Sequence, residues 1–137
     1  MLKDTDEAVF KVGQAWRYQT RVGEEESFFT IVKVEAHPVI GNIIHISVQE
    51  VNVQNPDAPN SIHGISHLPL SEDAVVRSVT KLIGILETLP DFEDGYAQWR
   101  QAFDAGEAGI WSAPVAECVD AIEHAINSVV PDESDRN

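Results

Sequence analysis

The sequence predicts an α+β fold, in which a four-stranded antiparallel β-meander in the N-terminal half is packed by about three C-terminal α-helices. Apolar and polar residues alternate from residue 14 to 53, with turn signals between the segments. The spacing becomes helical at Ser71. Strands therefore precede helices instead of alternating with them, which favours α+β over a parallel α/β sheet.

The first two predicted strands form a hairpin, since Gly23 and the acids after it indicate a turn. Every second residue of these strands lies on one face: Trp16, Tyr18, Thr20 and Val22, then Phe28, Thr30, Val32 and Val34. NIIHISVQEVNV predicts a third strand, and its apolar parity slips at Val51, which indicates a bulge or a bend. After a loop at QNPDAPN, SIHGISHL predicts the fourth strand.

Three apolar stripes at helical spacing follow. The first begins after a Ser71 cap and contains Val75, Val79, Leu82, Ile83 and Leu86. The second, at roughly 93–105, contains Phe92, Tyr96, Trp99 and Phe103, which we expect to pack on the sheet and not to form an interface. The third opens at Ser112 and Pro114 and contains Val115, Val119, Ile122, Ile126 and Val129. We expect all three helices on one face of the sheet.

The length of 137 residues predicts one domain over residues 1–130, followed by a disordered acidic tail at 131–137. The single cysteine, Cys118, excludes an intramolecular disulfide and is expected to be a buried thiol. We find neither a signal peptide nor an apolar run of roughly 18 residues that could span a bilayer. These features predict a soluble cytoplasmic protein.

The charge is strongly negative and uneven. The net charge is −14, and residues 71–137 hold fourteen acids and four bases, a balance of −10. Such a field repels nucleic-acid phosphates and anionic lipid, so we expect neither a nucleic-acid partner nor a membrane partner. It would attract a basic protein, although acidic surfaces also serve solubility alone.

The histidines are the densest group of possible metal or acid–base residues. His63 and His67 are four residues apart, so on a regular strand their positions are separated by roughly 13 Å. That separation does not suit one metal ion, and no zinc-binding spacing is present, so we predict no metal and no cofactor. Pairing of His67 with Glu72 or Asp73 is conceivable for acid–base chemistry, but those residues are more simply explained as a helix start. The sequence contains no glycine-rich phosphate loop and no nucleophile elbow, so no catalytic residue is predicted.

The sequence therefore favours a small acidic binding module that engages a basic protein partner, as an inhibitor, an antitoxin or an immunity protein does. The candidate partner-binding residues are acids that should face solvent on the last two helices: Glu93, Asp94, Asp104, Glu117, Asp120 and Glu123. One alternative is a small enzyme or ligand-binding domain that uses the His45, His63 and His67 face. The other alternative is a mimic of nucleic acid, in which helical carboxylates imitate phosphates.

Overall fold

The computed structural model describes residues 2–54 and 62–128. The predicted loop at 54–60, apart from Gln54, and the predicted tail at 131–137 lie outside these residues. Within them the elements are β1 (Lys3–Asp4), β2 (Gln14–Tyr18), β3 (Phe28–His37), β4 (Gly41–Val53), β5 (Ile62–Ser71), α1 (Glu72–Ser78), β6 (Val79–Ile85), α2 (Glu93–Asp104) and α3 (Val115–Ser128).

The strands form one antiparallel sheet in the order β5-β4-β3-β2-β6. The short strand β1 pairs with the C-terminal end of β3, at Glu35 and Ala36. The predicted α+β class is confirmed, and the predicted meander corresponds to β2 through β5. The sheet is larger than predicted, because β1 and β6 bring the strands of the described residues to six.

Two local features of the meander agree with the alternation in the sequence. Gly23 has a φ of 89° between β2 and β3, a conformation that glycine adopts without a Cβ clash. Glu50 has a φ of 60°, and the β4–β5 register shifts between Gln49 and Val53. This irregularity returns Val51 and Val53 to the core, as the parity slip predicts.

The hydrophobic core lies between one face of the sheet and the helices α1 and α3. The core residues of β4 include Ile44, Ile46 and Val48, and they meet buried residues of both helices: Ala74, Val75, Val115, Cys118 and Val119. Cys118 is buried as predicted, and burial raises the pKa of its thiol to about 12.

The first predicted helix is shorter than its apolar stripe. Ser71 caps α1 by accepting a hydrogen bond from the Ala74 amide, as predicted, but the helix ends at Ser78. The chain continues as β6, where Val79, Leu82 and Ile83 belong to a strand and not to a helix. β6 pairs with the outer edge of β2, so the backbone groups of β2 gain partners that a longer helix could not supply.

The helices do not share one face of the sheet, so that expectation is wrong. Successive residues of β4 point to opposite faces, and Ile44 contacts the α1–α3 side. His45 instead contacts Tyr96 and Trp99 of α2. α2 therefore covers the second face, and this is where the polar residues of β3, β4 and β5 are found.

Candidate functional site

Five residues form a connected polar group beneath α2, which we call the histidine cluster: Glu35, His45, His67, Tyr96 and Arg100. The strands β3, β4 and β5 contribute Glu35, His45 and His67 respectively, and α2 contributes the other two. Antiparallel pairing of these strands brings the three strand residues together, although ten to thirty-two positions of sequence separate them. Both Glu35 and His45 are buried.

Hydrogen bonds join the cluster into a chain. The Nε2 atom of His45 lies 2.8 Å from Oε1 of Glu35, and the Nδ1 atom of His45 lies 2.8 Å from Nε2 of His67. The Tyr96 hydroxyl donates to Oε2 of Glu35 at 2.8 Å. Arg100 also donates to this oxygen, at 3.3 Å, and to the Tyr96 hydroxyl oxygen at 3.0 Å.

The carboxylate at one end of the chain determines which ring nitrogens carry protons. Glu35 as a carboxylate can only accept, so Nε2 of His45 carries the proton that it donates. The Nδ1 atom of a neutral His45 is then the acceptor for Nε2–H of His67. In this arrangement Nδ1 of His67 keeps its lone pair and is the free end of the chain.

The pKa values are consistent with an ionised glutamate and two neutral imidazoles. Burial by itself would raise the pKa of Glu35, but hydrogen bonds from His45 and Tyr96 outweigh burial and place this pKa below its usual value. Burial lowers the pKa of His45, although Glu35 opposes the change. Burial, with a smaller contribution from His45, lowers the pKa of His67 to about 4.

The aromatic stripe of α2 closes over the two imidazoles. The ring centroid of His45 lies 5.0 Å from that of Trp99 and 5.2 Å from that of Tyr96. Gly95 permits this close approach, since a Cβ placed there would lie 3.0 Å from the Cβ of His67. The stripe does pack on the sheet, but it is half-buried and it covers polar residues instead of the apolar core.

The cluster is better suited to holding α2 on the sheet than to acid–base catalysis. An acid or base works best when its pKa lies near the working pH, and a histidine with a pKa of about 4 is a weak proton acceptor at neutral pH. The polar atoms of Glu35 that face His45 and Tyr96 are already hydrogen-bonded. Over residues 2–54 and 62–128, no three His, Cys, Asp or Glu side chains are placed to hold a metal ion.

The structure brings together two of the three predicted histidines. His45 and His67 meet, whereas His63 is exposed on β5 and lies outside the cluster. Neither carboxylate considered for His67 bonds to it: Glu72 accepts from the Val9 amide and the Asn42 side chain, and Asp73 pairs with Arg77.

Glu35, Tyr96 and Arg100 are the cluster residues that sequence reasoning missed. Glu35 follows the core residue Val34, so its position in the alternation indicates a polar face, and a polar face is usually read as solvent-exposed. The available signal was that α2 carries three aromatic residues and has a fourth, Phe92, at its N-cap, more than a helix needs if it packs beside an already apolar core. Such a helix needs a second face of the sheet, separate from the apolar core, on which its aromatic residues can pack.

Two of the three acids predicted on α3 bind a cation of the protein itself. Arg21, at the β2–β3 turn, donates to Glu24 at 2.7 Å, to Glu123 at 2.8 Å and to Asp120 at 3.4 Å. Glu123 also accepts from the Gln54 amide at 2.6 Å. Glu123 is thus half-buried, whereas we expected it to face solvent. Asp120 and Glu117 are exposed, as expected.

The acids predicted on α2 are all exposed, and they lie on the opposite side of the sheet from α3. Glu93 and Asp94 occupy the first turn of the helix, where negative charge suits the positive end of the helix dipole. Asp104 pairs with Arg100 at 3.0 Å near the last turn. The six predicted partner-binding acids therefore belong to two separate surfaces.

Comparison with protein families, curated proteins and solved structures gives no match for this chain. None of the helices in the described ranges combines the length and the apolar character that crossing a membrane would require.

Proposed function

We propose that the protein is a non-enzymatic binding module that engages a basic protein partner, as an inhibitor, an antitoxin or an immunity protein does. We place the contact on the acidic surface of α2, which we define as the six acids of residues 87–107 with the aromatic stripe beneath them. The observation that carries the proposal is that all six acids are exposed: Glu87, Asp91, Glu93, Asp94, Asp104 and Glu107.

The local charge is large for a segment of this length. Residues 87–107 contain six acids and one base, Arg100, which gives a balance of −5. Arg100 already contacts Glu35 and Asp104, so it does little to neutralise the remaining acids. A concentrated field of one sign attracts a positive surface and accelerates encounter with it.

The aromatic residues add apolar surface to the proposed binding site, which the acids by themselves do not provide. Phe92, Tyr96, Trp99 and Phe103 are half-buried in the same segment as the acids. The indole N–H of Trp99 donates to the Gly109 carbonyl at 2.8 Å, so a partner that covers this side chain would not leave the donor unpaired. Aromatic anchors surrounded by polar residues are typical of interface hot spots.

The histidine cluster supports the same proposal, because it fixes the helix before any partner arrives. Tyr96 and Arg100 both bond to the buried Glu35, so α2 is anchored by polar contacts from its own inner side. A surface that is already ordered loses less conformational entropy on binding.

The α3 acids are the second part of the candidate set, and they have less support. Glu123 and Asp120 share Arg21, which cancels part of their charge, and Glu117 is the remaining acid. The alternative of an enzyme or ligand-binding domain on the His45, His63 and His67 face also has less support. His63 is apart from the other two, and the low pKa of His67 makes it a weak base at neutral pH.

The test removes equal charge from two places. One variant carries Glu87→Gln, Glu93→Gln and Asp94→Asn on the acidic surface of α2. The matched control carries Glu7→Gln, Glu25→Gln and Glu26→Gln, three exposed acids outside both candidate surfaces. Both variants lose three negative charges, so any difference between them reports location and not net charge.

Binding is measured by capture from a lysate of the native source, with the bound protein identified and then titrated as a purified species. We expect a basic partner whose affinity falls at least tenfold for the α2 variant, changes little for the control and weakens as salt screens the charges. Equal loss in both variants, or binding that ignores salt, would contradict the proposal. If the partner binds nucleic acid and duplex DNA competes for it, the mimicry alternative gains support.

A further inference from the structure

A cavity of about 300 Å³ lies between β4, β5 and the segment that leads into α2. Its polar and glycine lining comes mainly in pairs from these three segments: Ser47 and Gln49, Gly64 and Ser66, Pro90 and Asp91. Asp91 is one of the six acids of the acidic surface of α2, so the cavity adjoins the proposed contact with the partner. Small-molecule cavities span about 300–1,000 Å³, and a cavity at the lower limit suits a single side chain.

Two buried side-chain atoms within residues 2–54 and 62–128 lack a hydrogen-bond partner, and both belong to this part of the sheet. One is the hydroxyl oxygen of Thr30, which pairs with Ser47 in the β3–β4 ladder. The other is the side-chain oxygen of Gln49, which lines the cavity. Buried polar atoms of this kind are rare in folded proteins, so this part of the polar face lacks donors that a ligand could bring.

The hydrogen bonds of Ser47 show which atom of the Gln49 carboxamide is unpaired. The Gln49 side-chain nitrogen donates to the Ser47 hydroxyl at 2.8 Å, and that hydroxyl donates to the Ile65 carbonyl at 3.5 Å. The oxygen of Gln49 is therefore the free atom, and it is an acceptor. A donor in the cavity could reach it after a small rotation of the carboxamide, whose last torsion is soft.

Gly64 keeps the cavity open at β5. Its φ is not positive, and within 4 Å a Cβ placed there would meet only the Val48 carbonyl oxygen, at the ordinary contact distance of 3.4 Å. Neither backbone strain nor crowding therefore requires glycine at this position. A glycine inside a strand often marks the close approach of a ligand, and here the missing side chain leaves the space that a ligand would occupy.

The charge of the lining selects a cationic ligand. Asp91 is the one charged residue in the lining that the structure describes, and it is exposed. Among the described residues its carboxylate accepts only from the Glu93 amide, at 3.4 Å. A positive group with several N–H donors can satisfy this carboxylate and the Gln49 oxygen together, whereas an anion would be repelled.

We infer that the cavity receives an arginine side chain of the basic partner, an inference that rests on the proposed function. A guanidinium group holds five N–H donors in one plane, so it can bond to Gln49 and Asp91 at the same time. Its flat faces can lie against Pro90 and Ile65, and it is less strongly hydrated than the ammonium group of lysine. Arginine is also enriched among the residues that dominate interface energies.

The first test uses the full chain without a partner. The chain is titrated with N-acetylarginine methylamide, and NMR follows the backbone amides and the glutamine side-chain amides. We expect saturable shifts at Gln49, Gly64 and Asp91. The citrulline compound, in which an uncharged urea replaces the guanidinium, should bind at least tenfold more weakly, and the lysine compound at least threefold more weakly. The absence of saturable shifts at these residues would overturn the inference, and so would equal binding of the citrulline or the lysine compound.

Two variants locate the site. Gly64→Leu fills the cavity and keeps every charge, and Gly84→Leu is its matched control, because Gly84 is also a strand glycine and no atom lies within 4 Å of a Cβ placed there. Asp91→Asn removes one exposed charge from the lining, and Asp6→Asn removes one exposed charge elsewhere. We expect the arginine compound to bind at least tenfold more weakly to Gly64→Leu, at least threefold more weakly to Asp91→Asn, and with little change to the two controls. Wild-type affinity in either cavity variant would overturn the inference.

The captured partner separates this inference from the proposed function. We expect the partner to bind Gly64→Leu at least tenfold more weakly than Gly84→Leu, although neither variant changes the charge. A partner that binds the α2 charge variant weakly, but binds Gly64→Leu as tightly as wild type, would overturn the arginine cavity and leave the proposed function standing.

Discussion

The Nδ1 atom of His45 lies 2.8 Å from the Nε2 atom of His67, and this contact joins β4 to β5 directly beneath α2. On its other side His45 reaches the buried carboxylate of Glu35 at 2.8 Å. Two imidazoles in series therefore connect a partly exposed position to a buried charge. The helix above them is held mainly by this polar chain and by ring contacts, since none of its residues is fully buried.

The first prediction concerns the dependence of stability on pH. Burial lowers the pKa of His67 from 6.5 to about 4, so between these values the unfolded chain binds a proton that the folded chain does not. The stability that depends on a neutral His67 is therefore complete above about pH 6.5 and is lost as the pH falls toward 4. We expect it to be about 1–3 kcal/mol, with a further loss in the same direction from His45.

Denaturant unfolding of His67→Gln between pH 7 and pH 4 tests this prediction. The variant should be less stable at pH 7, because it loses the bond to His45, but its stability should change less with pH. His63→Gln is the matched control, because His63 lies on the same strand and outside the cluster. Parallel pH curves for wild type and His67→Gln would count against a neutral His67.

The second prediction concerns Arg21, which connects the β2–β3 turn to α3. Arg21→Met leaves the buried Glu24 without its cation and close to Glu123. Removing one partner of a buried ion pair costs about 3–5 kcal/mol, so we expect a loss of about 3 kcal/mol because Arg21 is partly exposed. Thermal or denaturant unfolding measures the loss.

Asp73→Asn provides the comparison for Arg21, because it breaks an exposed pair with Arg77 and should cost about 0.5 kcal/mol or less. The double variant Arg21→Met/Glu24→Gln should be more stable than the sum of its two single variants implies, since the two sites interact directly. Strict additivity would mean that the contact contributes little.

The third prediction concerns the contact of α2 with β5 at Gly95. Alanine is the better helix former by about 1 kcal/mol, so an unobstructed helix would gain stability from Gly95→Ala. Here the new Cβ would lie 3.0 Å from the Cβ of His67 and 3.3 Å from the Ser66 hydroxyl oxygen. Because the Cβ of His67 is fixed to the strand backbone, the helix must shift, and we expect a net loss of about 1 kcal/mol.

Unfolding measurements give the cost, and the tryptophan fluorescence of the chain, in which Trp99 is one of three tryptophans, reports the shift. Gly84→Ala is the control, since no atom lies within 4 Å of a Cβ placed there and Gly84 is outside the contact of α2 with β5. A stabilised Gly95→Ala variant with unchanged fluorescence would show that α2 does not rest closely on β5.

The helices and strands were largely predictable where the local spacing of apolar residues fits only one type of secondary structure. The alternation through β3 and β4 predicts strands because only a period of two places Ile44, Ile46 and Val48 on one face. The stripe of α3 predicts a helix for the corresponding reason at a period of 3.6. The stripe after Ser71 failed beyond Ser78, because Val79, Leu82 and Ile83 also suit an edge strand with apolar residues on both faces, and the free edge of β2 decided between strand and helix.

The candidate site could be predicted only in part, because its members are not neighbours in sequence. His45 and His67 were visible as histidines, but their contact depends on how β4 pairs with β5, including a shift between Ile46 and Val48. Glu35 was not identified, since no local pattern distinguishes a carboxylate that a helix will cover from one that water will cover. The same limitation applies to Glu123, whose contact with Arg21 spans 102 positions.

The sequence by itself determined the α+β class, the meander, the Ser71 cap, the stripe of α3 and the excess of negative charge, because these properties follow from residue types and spacings along the chain. Only the tertiary structure decided that α2 covers a polar face, that Glu35 joins the two histidines, that Arg21 holds the α3 acids and that β6 forms an open edge. These outcomes depend on strand register and on which face of the sheet each helix packs against. Both are set by the competition of distant segments for burial and for hydrogen-bond partners, which no local pattern records.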